Sequence, residues 1–567
     1  MSSLRQYLRP SLRFRASRPC TTAAAASYRR FYSIAQGLAS EEDSTNVTAE
    51  TIESPNDRRT EALRRSRQDL YPRFVPEATP KTWTTRTFSN RFASILDDKT
   101  PDVPQAALNG RVRSVRMSSS SLAFIDIVHD GCSVQGVCDL ARISQNSISS
   151  TEFRDLFRRM RKGDIYHMEG HPHRTKRGQL SLLVTELPRL LSPCLHEMPT
   201  ALQDPETRIR NRHVDFQVND RAAQILRFRS QIITRIREYL QAKGYLEVQT
   251  PIMANLAGGA VARPFQTHAV EFPDRHIELR TAPELWLKRL VLGGFERIFE
   301  IGPNFRNEGI DKIHNPEFTT CEFYIAYANL DHLTQVTERL ISELVTYTNQ
   351  LTHKQLPSLS TCDISIDKPF KRVDFIEGLQ SLMNAELPDL KSPDAEAGVI
   401  QMFHDNGIPL PESATLPKLL DRLASKYLEP LCQNPTWITN HPECLAPLSK
   451  SFIDPGTKQR VSARAELFIG GKEVVNTYEE ENSPFEQRRK FEEQVKYRND
   501  DNRADIDEGY LEALEWGLPP TGGWGCGIDR LVMLLSGTDR INDVLPFGNL
   551  RNVVSLGRGG RNVVASQ

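Results

Sequence analysis

The chain has 567 residues, with 72 Lys plus Arg against 72 Asp plus Glu, and 39% of its residues are hydrophobic. This length allows about two to four domains, and the composition is typical of a globular protein in water. No run of about 18 apolar residues is present, so no membrane span is expected, and the nine cysteines contain no CxxC pair, which argues against a disulfide framework or a zinc ribbon and favours a reducing compartment.

The first 40 residues contain seven arginines and no Asp or Glu, and Ser, Ala and Thr fill much of the remainder. Such a composition is typical of an organelle transit peptide. The segment Arg30–Ser33 resembles a mitochondrial processing site, so we predict a transit peptide over residues 1–32 and a location in the mitochondrial matrix. The alternative is a basic disordered tail that binds nucleic acid.

Residues 33–100 predict a flexible or partly helical lead-in. From 106 to 195, short runs of alternating apolar residues are separated by turn residues, which predicts five strands with one helical insert near 151–161. This pattern is typical of an all-β OB-fold barrel over residues 101–200. Such barrels bind single-stranded nucleic acid on aromatic side chains beside positive charge. Arg116, Phe124 and Gln135 have that chemistry, although Phe124 could equally belong to the core.

The segment that follows the barrel, 192–219, has evenly spaced charges, which predict an exposed connector. A helix is expected from Asp220, because apolar residues then recur at steps of three and four. This stripe consists of Ile225, Phe228, Ile232, Ile236 and Leu240, and Gly244 is a suitable stop. Shorter segments follow: a strand at 245–248, a glycine turn at 258–265, an amphipathic helix at 282–294 and a largely helical region at 331–445.

Residues 299–324 predict two strands joined by a polar loop. Alternation places Arg306 and Glu308 on one face of the first strand and a second polar row on one face of the second strand. That second row consists of Phe318, Thr320, Glu322 and Tyr324, and the loop carries Lys312, His314 and Asn315. Because charges are rarely buried without partners, this face suits a site that holds an aromatic base, a phosphate and a cation. The alternative is the solvated face of an edge hairpin.

Residues 466–482 predict a second hairpin, with Gly470–Gly471 as a two-residue turn. The expected register pairs Phe468 with Glu473 and Glu466 with Val475. The two carboxylates then lie diagonally on one face, roughly 7 Å apart. Carboxylates at this spacing can hold a divalent cation that also binds phosphate, although solvated surface glutamates are the simpler interpretation. Simple alternation turns Asn476 away from that face, unless a bulge intervenes.

Residues 519–537 combine a glycine-rich stretch with a helix that is expected to start near Asp529. Gly525 and Gly527 predict a turn in which the backbone lies flat against a ligand. Arg530 falls in the first turn of the helix, where the helix dipole disfavours a cation unless an anion lies between them. The side chains expected to face a core are Ile528, Leu531 and Leu535. The stretch is not a P-loop, because no GxxxxGK followed by Ser or Thr is present.

Three segments therefore stand in a fixed order: the helix, strand and proline of 220–251, the FRNE segment with its downstream strand at 305–324, and GxGIDR at 525–530. This order resembles the three motifs of class II aminoacyl-tRNA synthetases. The strings GGAVARPF, TAPELWLKRLVLGGFERIFEI, HNPEFT and ELFIGGKEVVNTYEE resemble lysyl-tRNA synthetases, here of mitochondrial type. The resemblance implies an α+β fold, in which an antiparallel sheet flanked by helices over residues 201–567 follows the OB-fold barrel, and a homodimer formed through the first motif.

The resemblance also implies a reaction: L-lysine and ATP form lysyl-adenylate, and the lysyl group is transferred to the 3′ end of tRNA(Lys) for mitochondrial translation, with Mg²⁺ as cofactor. The implied catalytic residues are Arg306 and Arg530. The implied ATP contacts are Arg306, Glu308, His314, Asn315, Phe318, Glu473 and Arg530. The implied lysine contacts are Gly259, Glu284, Arg306, Glu322, Tyr324, Asn476, Tyr478 and Glu480. Glu466 and Glu473 would bind the metal, and Arg116, Phe124 and Gln135 match the anticodon-reading positions of the related barrels.

Other functions share part of this pattern. A class II synthetase for aspartate or asparagine has both the barrel and the motifs, but the APEL string and the three carboxylates of the implied lysine pocket argue against it. A non-catalytic, synthetase-like RNA-binding protein would be expected to have lost Arg306, Glu308 or Arg530, and all three are present. A ligase that attaches lysine to a protein usually lacks the barrel.

Overall fold

The computed structural model describes residues 55–65, 70–74, 81–94, 104–143, 148–256, 258–260, 262–497 and 506–556. The predicted transit peptide and parts of the lead-in lie outside the described residues. No helix in the described part of the chain is long and apolar enough to cross a membrane. The described residues form an N-terminal barrel and a larger C-terminal α+β unit.

The N-terminal unit is a barrel with additional short elements. Its elements are α1 (Pro55–Arg65), β1 (Lys81–Trp83), α2 (Thr85–Arg91), β2 (Ala106–Met117), β3 (Leu122–His129), β4 (Cys132–Asp139), α3 (Ser150–Arg159), β5 (Ile165–Arg174), β6 (Leu180–Val184) and β7 (Arg189–Ser192). Strand β2 pairs with both β3 and β5, which closes β2–β3–β4–β6–β5 into the predicted five-stranded barrel. Helix α3 is the predicted insert, and Ser149 and Glu152 form a capping box at its start.

Helix α1 belongs to the lead-in and contacts the barrel through Arg59. Its guanidinium lies 2.6 Å from the carboxylate of Asp164, and both side chains are buried. Asp164 also accepts hydrogen bonds from the backbone amides of Arg161 and Cys194. Removal of either partner would leave a buried charge, so this ion pair holds the lead-in helix on the barrel.

The predicted exposed connector contains two short helices, and two of its charged residues are buried, so the prediction that its charges are exposed was wrong in part. Its elements are α4 (Pro205–Arg210) and α5 (Arg212–Val218). Arg212 and Asp215 are 2% and 0% exposed, and their charged groups lie 2.5 Å apart. Arg208 pairs with the other oxygen of the Asp215 carboxylate at 3.0 Å. The charges can be buried because they satisfy one another, and their spacing along the chain does not reveal this pairing.

The C-terminal unit is organised around a mixed eight-stranded sheet. The strands of the unit are β8 (Leu246–Glu247), β9 (Met253–Ala254), β10 (Gln266–Ala269), β11 (Phe272–Leu279), β12 (Arg297–Phe305), β13 (Glu317–Ala326), β14 (Lys371–Asp374), β15 (Thr436–Thr439), β16 (Ser451–Ile453), β17 (Arg460–Ser462), β18 (Arg464–Ile469), β19 (Lys472–Glu479) and β20 (Thr521–Gly527). The order in the main sheet is β14–β15–β18–β19–β20–β13–β12–β8. The outer strands β8 and β14 pair in parallel with their neighbours, and the inner pairs are antiparallel.

Helices cover this sheet and enclose its core. They are α6 (Asp220–Ala242), α7 (Glu284–Leu292), α8 (Leu330–Gln355), α9 (Phe375–Met383), α10 (Ala395–Asp405), α11 (Leu416–Tyr427), α12 (Pro484–Lys496), α13 (Glu508–Leu514), α14 (Ile528–Ser536), α15 (Ile541–Val544) and α16 (Leu550–Leu556). The predicted apolar stripe of α6 is confirmed, since all five of its residues are buried in the main core. In the same core Phe323 stacks on Trp524, with ring centroids 4.7 Å apart.

The region 331–445 is largely helical, as predicted, but it also supplies β14 and β15 to one edge of the main sheet. Its helices α9, α10 and α11 pack around a separate apolar core. That core includes Phe375, Leu379, Phe403, Leu419 and Leu423. Strand β15 pairs with β18, so this helical region lies beside one of the strands that build the site.

The glycine-rich stretch before α14 forms the strand β20, so the predicted turn was wrong. Strand β20 lies in the centre of the sheet, between β19 and β13. A Cβ atom at Gly522 would lie 2.8 Å from the side chain of Leu333, so glycine lets α8 pack directly on the strand. Helix α14 begins at Ile528, close to the predicted start, and its residues Ile528, Leu531 and Leu535 are buried as expected.

Candidate active site

Strands β12 and β13 form the predicted hairpin, with Ile301 opposite Cys321 in an antiparallel register. Strand β12 ends at Phe305, so Arg306 and Glu308 lie in the connecting loop and not on the strand face where alternation placed them. The row on β13 is confirmed, because its side chains line one cavity together. These side chains are Phe318, Thr320, Glu322 and Tyr324.

This cavity has a volume of about 640 Å³ and collects most of the residues singled out in the sequence. From the region before β12 and the first hairpin it includes Gly259, Glu284, Arg306, Glu308, His314 and Asn315. From the second hairpin and α14 it includes Glu466, Glu473, Asn476, Tyr478 and Arg530. Glu480 is fully buried behind this lining, beside Tyr324 and Gly523.

The second hairpin contains a bulge that decides which side chains reach the cavity. Its turn is Gly470–Gly471, and both residues have positive φ angles, of 62° and 68°, as a two-residue hairpin turn requires. Phe468 pairs with Glu473 as predicted, but the register then shifts and Glu466 pairs with Asn476. The predicted partner of Glu466, Val475, was therefore wrong. The bulge that Asn476 required is confirmed, and both carboxylates and Asn476 line the same cavity.

Arg464 and His441 hold the carboxylate of Glu466. Arg464 pairs with one oxygen, and Nε2 of His441 lies 3.0 Å from the other. Burial alone would raise the pKa of Glu466, but the charges of Arg464 and His441 outweigh it and lower the pKa to about 2. Glu466 is therefore ionised at neutral pH, as a cation ligand must be.

Arg530 lies between the two hairpins. Its Nη1 lies 3.2 Å from the carboxylate of Glu473, and its Nη2 lies 2.8 Å from Nε2 of His314. The other ring nitrogen of His314 lies 2.7 Å from Asp311. Arg306 occupies another part of the cavity, where its guanidinium lies 5.1 Å from the centre of the Phe318 ring. The cavity therefore offers two cations and an aromatic face to an anionic, aromatic ligand.

Three buried carboxylates, two in the lining and one behind it, form a second feature of the site. Glu284, Glu322 and Glu480 are 4%, 8% and 0% exposed. Burial and the nearby charge of Glu284 raise the pKa of Glu322 to about 8. The Oε1 atom of Glu480 is buried without a hydrogen-bond partner. Because a buried carboxylate is costly unless it is paired, this arrangement suits a cationic ligand.

The three candidate residues of the barrel lie on adjacent strands. Arg116 on β2 is directly opposite Phe124 on β3, and its guanidinium lies 5.8 Å from the ring. Gln135 on β4 is opposite Asp126 and donates a hydrogen bond to it at 3.4 Å. The side chain of Arg116 is exposed and Gln135 is buried. These three residues therefore lie together in the barrel, and none of them lines the cavity.

Comparison with known proteins identifies the family. The family model for class II tRNA synthetases (D, K and N) matches residues 204–551, and that for the OB-fold nucleic acid binding domain matches residues 106–190. The chain is 40% identical over 503 residues to the mitochondrial lysine–tRNA ligase of Schizosaccharomyces pombe, which covers 87% of this chain and 93% of that protein. The chain belongs to the lysine–tRNA ligase family of class II synthetases.

Two further lysine–tRNA ligases show the breadth of the family. The chain is 39% identical to the ligase cla4 of Cladosporium cladosporioides, over 92% of this chain and 88% of that protein. It is 41% identical to the ligase of Deinococcus radiodurans, over 70% of this chain and 74% of that protein. The resemblance to this family and the predicted fold class are confirmed.

Two residues beside the site, Lys288 and Gly523, were missed in the sequence. Lys288 is fully buried and pairs with both Glu284 and Glu480. The spacing of four residues between Glu284 and Lys288 could have predicted an ion pair on one helix face, although such pairs usually lie on exposed faces. Gly523 was also missed: a Cβ atom there would collide with Glu480 and lie 2.8 Å from the ring of Tyr324.

Proposed function

We propose that this protein is a lysine–tRNA ligase of the mitochondrial matrix. It activates L-lysine with ATP to give lysyl-adenylate and pyrophosphate, and it then transfers the lysyl group to the 3′ end of tRNA(Lys). The observation that carries this proposal is the set of buried carboxylates at one cavity, with Glu284 and Glu322 in its lining and Glu480 behind it, together with Arg306 and Arg530. The corresponding domains are a transit peptide at 1–32, a lead-in at 33–100, an anticodon-binding barrel at 101–200 and a catalytic domain at 201–567.

The carboxylates provide selectivity for lysine. Glu480 and Tyr324 would receive the ε-ammonium group, and the unpaired Oε1 atom of Glu480 supports this role. Gly259 and Glu284 would receive the α-amino group, since Gly259 lies against Glu284. The side chains that would complete the pocket are Glu322, Asn476 and Tyr478. A site that depends on polar pairing can reject analogues that lack the group by roughly 10⁴-fold or more.

The polar part of the cavity would bind ATP. Phe318 would stack on the adenine ring, and Glu308, His314 and Asn315 would fix the nucleotide. Arg530 would hold the γ-phosphate, where that anion would also relieve the unfavourable position of an arginine in the first turn of α14. Its contacts with Glu473 and His314 keep its guanidinium in the cavity.

The first chemical step requires placement and charge stabilisation. The carboxylate of lysine is already ionised near pH 7, so no general base is needed for its attack on the α-phosphorus. Arg306 would bind both the α-phosphate and this carboxylate, which places the nucleophile in line with the leaving pyrophosphate. Its positive charge would also stabilise the charge that develops on the phosphate oxygens. A bond forms between the lysine carboxylate and the α-phosphorus, and the bond to pyrophosphate breaks.

The donor set at Glu466 and Glu473 fits Mg²⁺. Both carboxylates line the cavity, and the low pKa of Glu466, to which Arg464 and His441 contribute against the effect of burial, keeps it ionised. Mg²⁺ usually keeps several waters and binds one or two protein carboxylates together with substrate phosphates. When bound, the ion would neutralise phosphate charge. The residues that would hold it are Glu466 and Glu473.

The barrel and the exposed surface suit macromolecular partners. The pair formed by Arg116 and Phe124 can stack a base of the tRNA anticodon beside a positive charge, and Gln135 would support this anticodon surface through its hydrogen bond to Asp126. The three-stranded sheet β10–β11–β9 exposes Met253, Val270 and Phe272. Exposed apolar groups of this kind often mark protein interfaces, which supports a homodimer formed near the first motif.

Aminoacylation tests this proposal directly. The purified protein should attach radiolabelled lysine to a mitochondrial tRNA(Lys) transcript, in a reaction that needs ATP and stops when Mg²⁺ is removed with a chelator. A fusion of residues 1–40 to a fluorescent protein should enter mitochondria, which tests the location separately. Absence of lysine attachment with a correctly folded enzyme and tRNA would contradict the proposed function.

A further inference from the structure

Lys288 is a fully buried cation among the carboxylates of the candidate lysine pocket. It lies on α7, one turn after Glu284, and its exposed fraction is 0%. Its Nζ atom lies 2.6 Å from Oε1 of Glu284, and the same ammonium group forms an ion pair with Oε2 of Glu480. The rings of Tyr478 and Tyr510 lie 5.7 Å and 6.0 Å from Nζ. One ammonium group therefore connects α7 with the residue that follows β19.

The oxygens of these carboxylates differ in their contacts with Lys288. Glu284 and Glu480 each turn one oxygen towards Lys288, and the second oxygen of Glu480 is buried without a hydrogen-bond partner. Two glutamates that share one ammonium group also cannot move apart without leaving a buried charge unpaired. The free oxygen of Glu480 is therefore held at a fixed place beside the cavity.

The formal charges of the pocket match the substrate. When Glu284, Glu322 and Glu480 are ionised, Lys288 neutralises one of their three charges and two remain. Lysine carries two ammonium groups, at the α and ε positions, and its carboxylate would pair with Arg306. An additional unpaired negative charge in this buried place would be costly, so removal of Lys288 would favour displacement or protonation of a glutamate that the substrate needs.

We infer that Lys288 is a positioning residue for the amino-acid substrate, because it holds Glu284 and Glu480 in place and leaves the Oε1 atom of Glu480 for an ammonium group of lysine. This inference rests on the proposed function. The chain offers a matched control in Lys490, a second buried lysine, which pairs with Glu481 at 2.7 Å. Lys490 pairs with Glu481 and not with Glu284 or Glu480, so it offers a buried ammonium group without the proposed role.

The test compares Lys288→Met with Lys490→Met in lysine-dependent ATP–pyrophosphate exchange. Both variants remove a buried ammonium group, so both should lower the thermal unfolding midpoint. Lys288→Met should raise the KM for lysine about tenfold or more and change the KM for ATP by less than about twofold. Lys490→Met should leave the ratio of the two KM values unchanged. Lys288→Gln, which keeps a hydrogen-bond donor without the charge, provides the same comparison if the Met variant does not fold.

Each outcome decides between the two roles. An unchanged KM for lysine in folded Lys288→Met, or equal increases in both KM values, would overturn the positioning role. Failure of both the Met and the Gln variants to fold would assign Lys288 to the stability of the fold and would also overturn it. Absence of lysine-dependent exchange in the wild-type enzyme would instead overturn the proposed function, so the two failures are distinguishable.

Discussion

Replacement of Glu480 by Gln should impair the use of lysine far more than the use of ATP. Glu480 is fully buried and its Oε1 atom has no hydrogen-bond partner, so the ε-ammonium group would be its partner in the complex. Breaking a buried ion pair by removing one charge costs about 3–5 kcal/mol. Lys288 remains paired with Glu284 in the variant, which favours the lower value. About 3 kcal/mol corresponds to a loss of about 150-fold in kcat/KM for lysine.

ATP–pyrophosphate exchange measures this effect when lysine and ATP are varied separately. The KM for ATP should change by less than about twofold, because Glu480 lies among the lysine contacts and not among the ATP contacts. Glu481→Gln is the matched control, since this neighbouring buried carboxylate pairs with Lys490 and is not among the proposed lysine contacts. It should lower the thermal midpoint without a selective effect on lysine. Equal losses for lysine and ATP in Glu480→Gln would refute the assignment.

Three further predictions concern the lysine pocket and the barrel. Burial and the charge of Glu284 raise the pKa of Glu322 to about 8, so this group is mainly protonated at pH 7 and an ammonium group that binds beside it should displace the proton. Lysine affinity should therefore fall as the pH decreases from about 8 to 6, and the calorimetric heat of binding at pH 7 should depend on the ionisation enthalpy of the buffer; identical heats in all buffers would contradict this. Gly523→Ala should abolish lysine-dependent exchange without loss of nucleotide binding, because a Cβ atom there collides with Glu480, and normal exchange would show that this contact is unimportant. Phe124→Ala should slow charging of tRNA but spare exchange, and loss of exchange would refute the separate roles of barrel and cavity.

Local periodicity was sufficient to predict the elements that carry most of the site. The stripe of α6, the row on β13 and the start of α14 follow from regular spacings of apolar or polar residues, and these spacings do not depend on distant parts of the chain. From the sequence, the bulge in the second hairpin could be inferred only on the assumption that Asn476 faces the site. The bulge leaves Val474 without a partner in the register with β18, and alternation alone does not indicate its position.

The remaining features depend on contacts between distant segments. Arg212 and Asp215 are buried because Arg208 and backbone carbonyl groups near Asp543 complete their hydrogen bonds, and none of this is visible in the spacing of charges. Strand β20 contains so many glycines because α8 and the pocket residues pack closely on it. Lys288 meets Glu480 only after α7 and β19 have folded together, so its place in the pocket could not be inferred from the helix alone.

The cavity should activate lysine and not the amino acids of the related class II enzymes. The decisive experiment is ATP–pyrophosphate exchange by the wild-type protein with lysine, aspartate and asparagine, each at the same concentrations. The buried carboxylates predict strong exchange with lysine and none above background with aspartate, whose additional negative charge they would repel. Exchange that is equal for the three amino acids, or that is strongest with aspartate or asparagine, would show that the cavity does not select lysine.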